Sequence, residues 1–177
     1  PLFGLEIETP RLLLRPVRDA DLPGLVQAAL DGIHDRDRTP FGAPWTDAEP
    51  DELARNLAAY QWGLRTRVAP ESWTVAFAVL LDGAVVGAQD LSATDLANRR
   101  TVGTGSWLTR RAQGSGIGTE MRAALLQFAF DHLGAPFVEA LVLERISGDG
   151  ERLVAELLVD PLDPVGTDGD LGHRADR

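Results

Sequence analysis

Cysteine is absent from these 177 residues, which excludes disulfides, thiolate zinc sites and cysteine nucleophiles. Lysine is absent too, since all 17 basic residues are arginine. That removes Schiff-base chemistry and the P-loop, which needs a lysine after its second glycine. Positive charge is scarce altogether. A net charge of −10, spread along the chain, argues against nucleic acid as a partner, because such binding needs clustered cations. Most of the acidic residues serve solubility, and the surface they make favours cationic partners. No apolar run approaches the ~20 residues that span a bilayer, and no signal-peptide pattern opens the sequence. The expectation is therefore cytoplasmic residence with no membrane contact. The bias to Arg over Lys, with much Ala, Gly and Asp, points to a GC-rich, bacterial-type genome and says nothing of function.

What is present is glycine in an informative place. Gln113-Gly114-Ser115-Gly116-Ile117-Gly118-Thr119 opens the most regular helix pattern in the chain and follows a strand-like run ending at Leu108. Glycine tolerates the positive φ that a tight strand-to-helix turn needs and lets backbone N–H groups approach a ligand. The unpaired N–H groups of the first helical turn and the positive end of the macrodipole then face the same anion. A tight turn without a ligand is the plainer reading. Three glycines at alternate positions favour the anion site. A dinucleotide fingerprint would place a third glycine three residues after the second, in an early βαβ unit. Thr119 stands there instead.

Around this turn the pattern reads as one domain over residues 1–160, followed by a Pro/Gly/Asp-rich tail, 161–177, with little to bury. Arg11–Val17 reads as a first strand. Asp19 is placed to cap a helix from about Asp21 to Leu30, with Leu22, Leu25, Val26 and Ala29 on its apolar face. Thr46-x-x-Glu49 has capping-box spacing before a second helix that starts at Pro50 and runs to about Arg67. Leu53, Leu57, Tyr60 and Leu64 share one side of it. Trp73–Leu81 and Ala84–Leu91 are strands joined by Asp82-Gly83, a hairpin signal. Ser92–Arg99 reads as a polar loop, and Thr101–Leu108 as a strand that Gly103 and Gly105 weaken into a bulge or close approach. The central helix runs from Gly116 to about Leu133, where Gly134 closes it. Phe137–Leu143 reads as another strand, and Glu151–Val159 carries apolar residues at helical spacing.

The spacing Gln113-x-x-Gly116-x-Gly118, in this order of elements, resembles the acyl-CoA pyrophosphate loop of the GNAT N-acetyltransferases. RLLLRPVRDADLPGL and Trp107-Leu108 resemble the branch that acetylates ribosomal-protein N-termini. The resemblance covers residues 1 to about 158. It implies an α/β (α+β) fold, a mixed and mostly antiparallel twisted sheet with helices on both faces and a splayed strand pair for acyl-CoA. It also implies acetyl-CoA as acyl donor, a primary amine as acceptor (a protein N-terminus or a small amine), and no metal. The backbone N–H groups of Gln113, Gly114, Ser115, Gly116, Ile117, Gly118 and Thr119 would hold the pyrophosphate. The strand near Trp107, Leu108 and Thr109 would pair with the pantetheine arm, and Arg110 and Arg111 would meet CoA phosphates or remain solvated.

The amine attacks the thioester directly, so few special side chains are needed. Leu108 N–H is the expected oxyanion donor. Asp90, ending a strand that faces the cleft, is the first choice of base, against the alternative that it caps the following turn. Glu120 is explained by the helix dipole alone, and so is His132 at the other end of that helix. His34 and Trp45 are the candidate acceptor-site residues, with Asp35, Asp37 and Trp62 nearby in the reading; solvated or core roles are the alternatives.

The chain departs from the family after residue 143. No Asn, no Tyr and no aromatic residue occurs from 144 to 177, where the family carries an Asn and often a general-acid Tyr. Tyr60, on the second helix, is the only tyrosine, so solvent is left to protonate the leaving thiolate. A frame-shifted ending, a variant tail that docks a second subunit in a homodimer, and a non-catalytic acyl-CoA-binding protein all account for this.

Overall fold

Strand period two sorts the opening residues between two cores. The computed structural model describes residues 4–35, 40–135, 137–143 and 154–159. Ile7–Glu8 (β1) pairs antiparallel with Leu12–Pro16 (β2). Leu12 and Leu14 of β2 are buried in one cluster, while Leu13 packs against the other, as alternation along a strand requires. β2 continues the sheet to Ser72–Leu81 (β3), and β3 forms a long hairpin with Ala84–Thr94 (β4). The Asp82-Gly83 turn has positive φ at both residues, which suits the right-handed twist of the flanking strands.

Helices cover both faces. Leu22–Leu30 (α1) and Pro50–Thr66 (α2) lie on one, burying Leu22, Leu25, Ala29, Leu53 and Leu57 against Ala78, Leu80 and Ala88. Ile117–Leu133 (α4) lies on the other, with Ile117, Met121, Leu125 and Ala129 at i+4 spacing against Leu14, Phe77, Val79 and Leu91. A one-turn helix, Leu96–Arg99 (α3), follows β4. The run 101–108 is two strands, Thr101–Thr104 (β5) and Ser106–Leu108 (β6). Phe137–Leu143 (β7) pairs parallel with β5, and Val154–Val159 (β8) pairs antiparallel with β7. The sheet order is β1-β2-β3-β4-β5-β7-β8, with β6 on β4. This is the expected mixed, mostly antiparallel sheet with helices on both sides.

Several local expectations are corrected. Of Glu151–Val159 the described part, Val154–Val159, is strand and not helix: β8 pairs along β7, and ladder formation outweighs the helical spacing of a short apolar run. The tail from residue 160 lies outside the described residues. Asp21, not Asp19, organises the start of α1. Its buried carboxylate accepts from both Arg15 Nη1 (2.8 Å) and Nη2 (2.7 Å), and from the Arg18 N–H at 2.8 Å. Asp19 instead takes Arg65 and Trp62 from outside. The Thr46/Glu49 capping box does not form, since Glu49 caps α2 without a side-chain bond and Thr46 is turned to His34. Gln61 takes the buried position on α2 and leaves Tyr60 half exposed. The polar stretch from Ser92 is strand as far as Thr94 and then α3.

Of the bulge or close approach expected at Gly103 and Gly105, the close approach is found, since a Cβ there would lie 2.9 Å from Ser92 Oγ and 3.3 Å from Asp90 Oδ2 respectively, and the bulge sits on β4. Val79 pairs with Gly87 but Leu80 with Val85, so Val86 is the extra residue. Its carbonyl accepts from Thr109 N–H at 2.8 Å. At the next residue the backbone of β6 comes so close that a Cβ on Gly87 would lie 2.2 Å from the Trp107 carbonyl oxygen and 2.9 Å from Leu108 Cα. Backbone cannot yield as a flexible side chain does. Gly87→Ala is expected to destabilise the protein by about 3 kcal/mol or more; denaturant unfolding that leaves the midpoint unchanged would contradict this.

Candidate active site

The ladder between β4 and β6 determines which backbone groups of β6 are free. In an antiparallel pair, hydrogen-bonded and non-bonded pairs alternate. Asp90 N–H donates to Gly105 O at 2.8 Å and Thr109 N–H to Val86 O at 2.8 Å, with Ala88 opposite Trp107 between them. Gly105, Trp107 and Thr109 therefore spend their backbone groups on β4. Thr104, Ser106 and Leu108 turn theirs the other way. Thr104 faces β7 and pairs opposite Ala140, where the β5–β7 ladder ends. Ser106 and Leu108 have no strand on that side among the described residues. Their row of N–H and C=O groups borders the gap where β6 and β7 part. The Leu108 carbonyl is taken by Gln113 Nε2 at 2.7 Å. Leu108 N–H and both groups of Ser106 stay open.

Leu108, the expected oxyanion donor, thus keeps its N–H on the open side of β6. Trp107 and Thr109 are not placed to pair with an arm in the gap, because their backbone groups belong to β4. Ser106 replaces them, and alternation counted from a known ladder would have found it.

Asp90 explains why the strand divides at Gly105. Its Oδ1 accepts the Gly105 N–H at 2.8 Å, and its own carbonyl accepts from Thr104 Oγ1 at 2.7 Å. The side chain thus takes the rung that the main chain would otherwise make. The register is the same on either side, with Ser92 opposite Gly103 and Gln89 opposite Ser106, so no residue is inserted. On the α1/α2 face Asp90 is flanked by Ala76 of β3 on one side and the bare Gly105 on the other. Small neighbours leave a clearing around the carboxylate. Burial raises its pKa above the ordinary carboxylate value, and the Gly105 N–H works in the opposite direction. The Tyr60 hydroxyl, also raised, owes its shift first to desolvation and then to the charge of Asp90, so α2 brings the chain's one tyrosine towards this clearing.

Trp107 points to the same face as Asp90 and begins an aromatic file. Its ring centroid is 5.8 Å from Trp45, Trp45 is 5.2 Å from Phe41, and Phe41 is 5.6 Å from His34. His34 and Trp45, the candidate acceptor-site residues, are thus brought together through Phe41. The His34 ring is fully engaged, however: Nδ1 donates to Asp35 O at 2.8 Å, and Nε2 lies 2.8 Å from Thr46 Oγ1. Trp62 is elsewhere, half exposed and donating to Asp19 Oδ1 at 3.1 Å. Asp37 lies outside the described residues.

The glycine turn follows β6 through a short 3-10 turn, Arg110–Ala112. Gly114 has φ 73° and Gly116, the N-cap of α4, φ 81°, values that glycine adopts without a Cβ penalty. The first backbone bond of α4 runs from Glu120 N–H to Gly116 O at 3.0 Å, and no side chain caps the helix. The N–H groups of Ile117, Gly118 and Thr119 thus have no intrahelical partner. Ser115 and the two αL glycines stand just before them.

Gln113 departs from its expected part. Its N–H is committed to Arg110 O (3.1 Å), and its side chain donates to Ile33 O and Leu108 O, each at 2.7 Å. It pins the turn to β6 and to the end of α1 rather than lending an amide. Arg110 and Arg111 also turn away, towards Asp35 and Asp31 respectively. Among the described residues the arginine at the turn is Arg11, in the bend just before β2, which sequence reading missed. Its Nη1 donates to Ser115 O at 3.0 Å and its Nε to Glu120 Oε2 at 2.6 Å. A contact across 104 residues leaves no signal in sequence spacing. Glu120 is held below the usual carboxylate range, first by the Thr9 hydroxyl at 2.5 Å and further by Arg11.

Comparisons with known proteins agree with this geometry. The family model for the acetyltransferase (GNAT) domain matches residues 11–145. A crystal structure assigned as an acetyltransferase superposes with TM-score 0.58 at 26% identity, covering 76% of this chain and 65% of that one. The chain thus spans slightly under two thirds of that protein's length. RimJ of Mycobacterium smegmatis, solved with CoA-disulfide, gives TM-score 0.62 at 23% identity over 78% of this chain and 66% of its own. RimL, a ribosomal L7/L12 α-N-protein acetyltransferase solved with coenzyme A, gives 0.56 at 17% over 77% and 73%. At those identities the last two show a shared fold.

Asp90 also gives a stability prediction with a definite sign. Its folded pKa lies above the unfolded value of 3.8, so the folded state binds the proton more tightly. Stability therefore falls as pH rises from the unfolded value through the folded one. Asp90→Asn removes this penalty while its amide oxygen still accepts the Gly105 N–H. The variant should melt higher than wild type at pH 7, by roughly 2–4 °C per kcal/mol recovered, with a gap that closes as pH falls towards the unfolded value of 3.8. Thermal melts showing a lower Tm or a pH-independent gap would contradict it.

Proposed function

The chain belongs to the GNAT acetyltransferase family, and from that premise we propose that it transfers an acetyl group from acetyl-CoA to a primary amine by direct attack. The observation that carries the reading is the pairing of two vacancies in one place. Ser106 and Leu108 offer an unclaimed strand edge at a gap in the sheet, and about one helical turn of unbonded N–H groups follows from Ser115 to Thr119. The residues fit such a donor: the helix N-terminus and αL glycines suit a diphosphate, and the open edge suits an amide-bearing arm. The chemistry the donor supplies is a thioester that a free amine displaces without any protein nucleophile.

The chain's own residues have three tasks. Gly114 to Thr119 hold the diphosphate by backbone N–H groups, and Ser106 and Leu108 align the arm in the gap. Leu108 N–H faces the position where the carbonyl oxygen gathers charge, and such a donor is worth about 10²–10³ in rate. Asp90 takes a proton from the acceptor's ammonium, since only the free amine attacks. A base with a raised pKa is better matched to that work near neutral pH. The acceptor approaches over bare Gly105 between Asp90 and the Trp107–Trp45–Phe41 file. As the amide forms, the C–S bond breaks, and the thiolate takes its proton from solvent. Relatives that act on ribosomal proteins favour a protein N-terminus as acceptor, with small amines as the alternative.

Thiol release from acetyl-CoA, followed with N-terminal peptides and small amines, tests this reading. Turnover is expected with at least one class, with kcat/KM rising with pH through the elevated pKa of Asp90. Asp90→Asn should lower kcat by about 10²–10⁴ at little change in KM for acetyl-CoA. CoA binding without thiol release would make the chain a binding protein on the same fold, and an unimpaired Asp90→Asn would remove Asp90 as base.

A further inference from the structure

We propose that Arg11, from the edge of the first long strand, supplies the side-chain cation for the donor's diphosphate, a positioning role that neither Arg110 nor Arg111 fills. The inference rests on the acyl-CoA reading of the glycine turn. Three anchors fix the arginine. Its backbone N–H donates to Glu120 Oε1 at 3.1 Å, its Nε to Glu120 Oε2 at 2.6 Å, and its Nη1 to Ser115 O at 3.0 Å. Thr9 supports the same carboxylate at 2.5 Å. Nη2 is left without a hydrogen-bond partner among the described residues, and it lies 3.3 Å from where a Cβ on Gly116 would stand. The unspent edge of the guanidinium is therefore held against the αL glycine that begins α4, beside the N–H groups of Ile117 to Thr119.

A planar, permanently charged fork held by its other nitrogens has lost its rotamer freedom before any ligand arrives, so little further entropy is lost on binding. The side chain remains 44% exposed, so a phosphate oxygen has access. Glu120 is close enough to oppose an anion, but its two oxygens are spent on Thr9 and Arg11. It acts as the anchor that aims the arginine. The two arginines that sequence places nearest the turn are directed to Asp35 and Asp31. Among the described residues, Arg11 is thus the cation that meets the turn itself.

Calorimetric titration of CoA into wild type, Arg11→Gln and Arg11→Lys at about 0.05 and 0.5 M salt tests the proposal. Arg11→Gln should bind CoA about tenfold more weakly at low salt, with a gap that shrinks at high salt because the lost contact is ionic. Arg11→Lys should recover part of the affinity and the salt dependence. A role confined to bracing the turn would instead give an equal loss at both salt concentrations with no recovery by lysine, and that result overturns the proposal, as does wild-type affinity in Arg11→Gln. Wild type that binds no CoA fails the acyl-CoA reading itself, which separates the two failures.

Discussion

A carboxylate standing in for a carbonyl is the constraint on which the rest of this structure depends. In an uninterrupted ladder the Gly105 N–H would donate to the main-chain oxygen of Asp90. Here it donates to the Asp90 side chain, and Thr104 Oγ1 occupies the main-chain oxygen. The bond count is conserved, so dividing the strand costs little hydrogen bonding. The geometry is not conserved. β5 pairs with both β4 and β7 while β6 pairs with β4 alone, and the gap between β6 and β7 opens where that second partner is lost. One acid thereby shapes the slot and stands, with a raised pKa, in the clearing next to it.

The two ends of the glycine turn are fixed by polar pins rather than by packing. Glycines supply no side chains to pack, and a turn that presents bare N–H groups cannot satisfy them internally. Gln113 holds one end through two carbonyls from different elements, and Arg11 holds the other through Ser115 and Glu120. Hydrogen bonds to charged groups contribute more than neutral ones, about 1.5–3 kcal/mol where buried, and less at the exposure of Arg11. Their value here is directional. The Ser115 carbonyl is taken by Arg11, while the N–H groups of Ile117, Gly118 and Thr119 are left without an intrahelical partner.

Legibility in the sequence followed the range of the interactions. The glycine turn, the Asp82-Gly83 hairpin and the central helix closed by Gly134 are local signals, and the structure has each where the sequence placed it. Asp90 was picked out as a strand-terminal acid, but β4 runs on to Thr94 and places it within the strand, opposite Gly105; Leu108 was picked out as a strand-end donor and ends β6. Trp107, Thr109, Gln113 and Arg110 were picked out by the family resemblance of the turn and the strand before it. Their groups are spent on Ala88, Val86, Ile33 and Asp35, partners that sequence proximity does not reveal. Val154–Val159 has helical spacing but pairs with β7, because the strand edge beside it decides its conformation.

Residue chemistry by itself determined that the chain has no thiol or lysine chemistry, that a helix begins at three alternating glycines, and that strands and helices alternate in this order. These follow from side-chain inventory, from the φ values that glycine permits, and from periodicities of 2 and 3.6 residues, all properties of neighbours along the chain. Only the tertiary structure decided which backbone groups stay unpaired, which arginine meets the turn, and how the strand divides at Gly105. A free N–H is free because of what lies across from it, and what lies across is set by contacts between residues up to about a hundred positions apart.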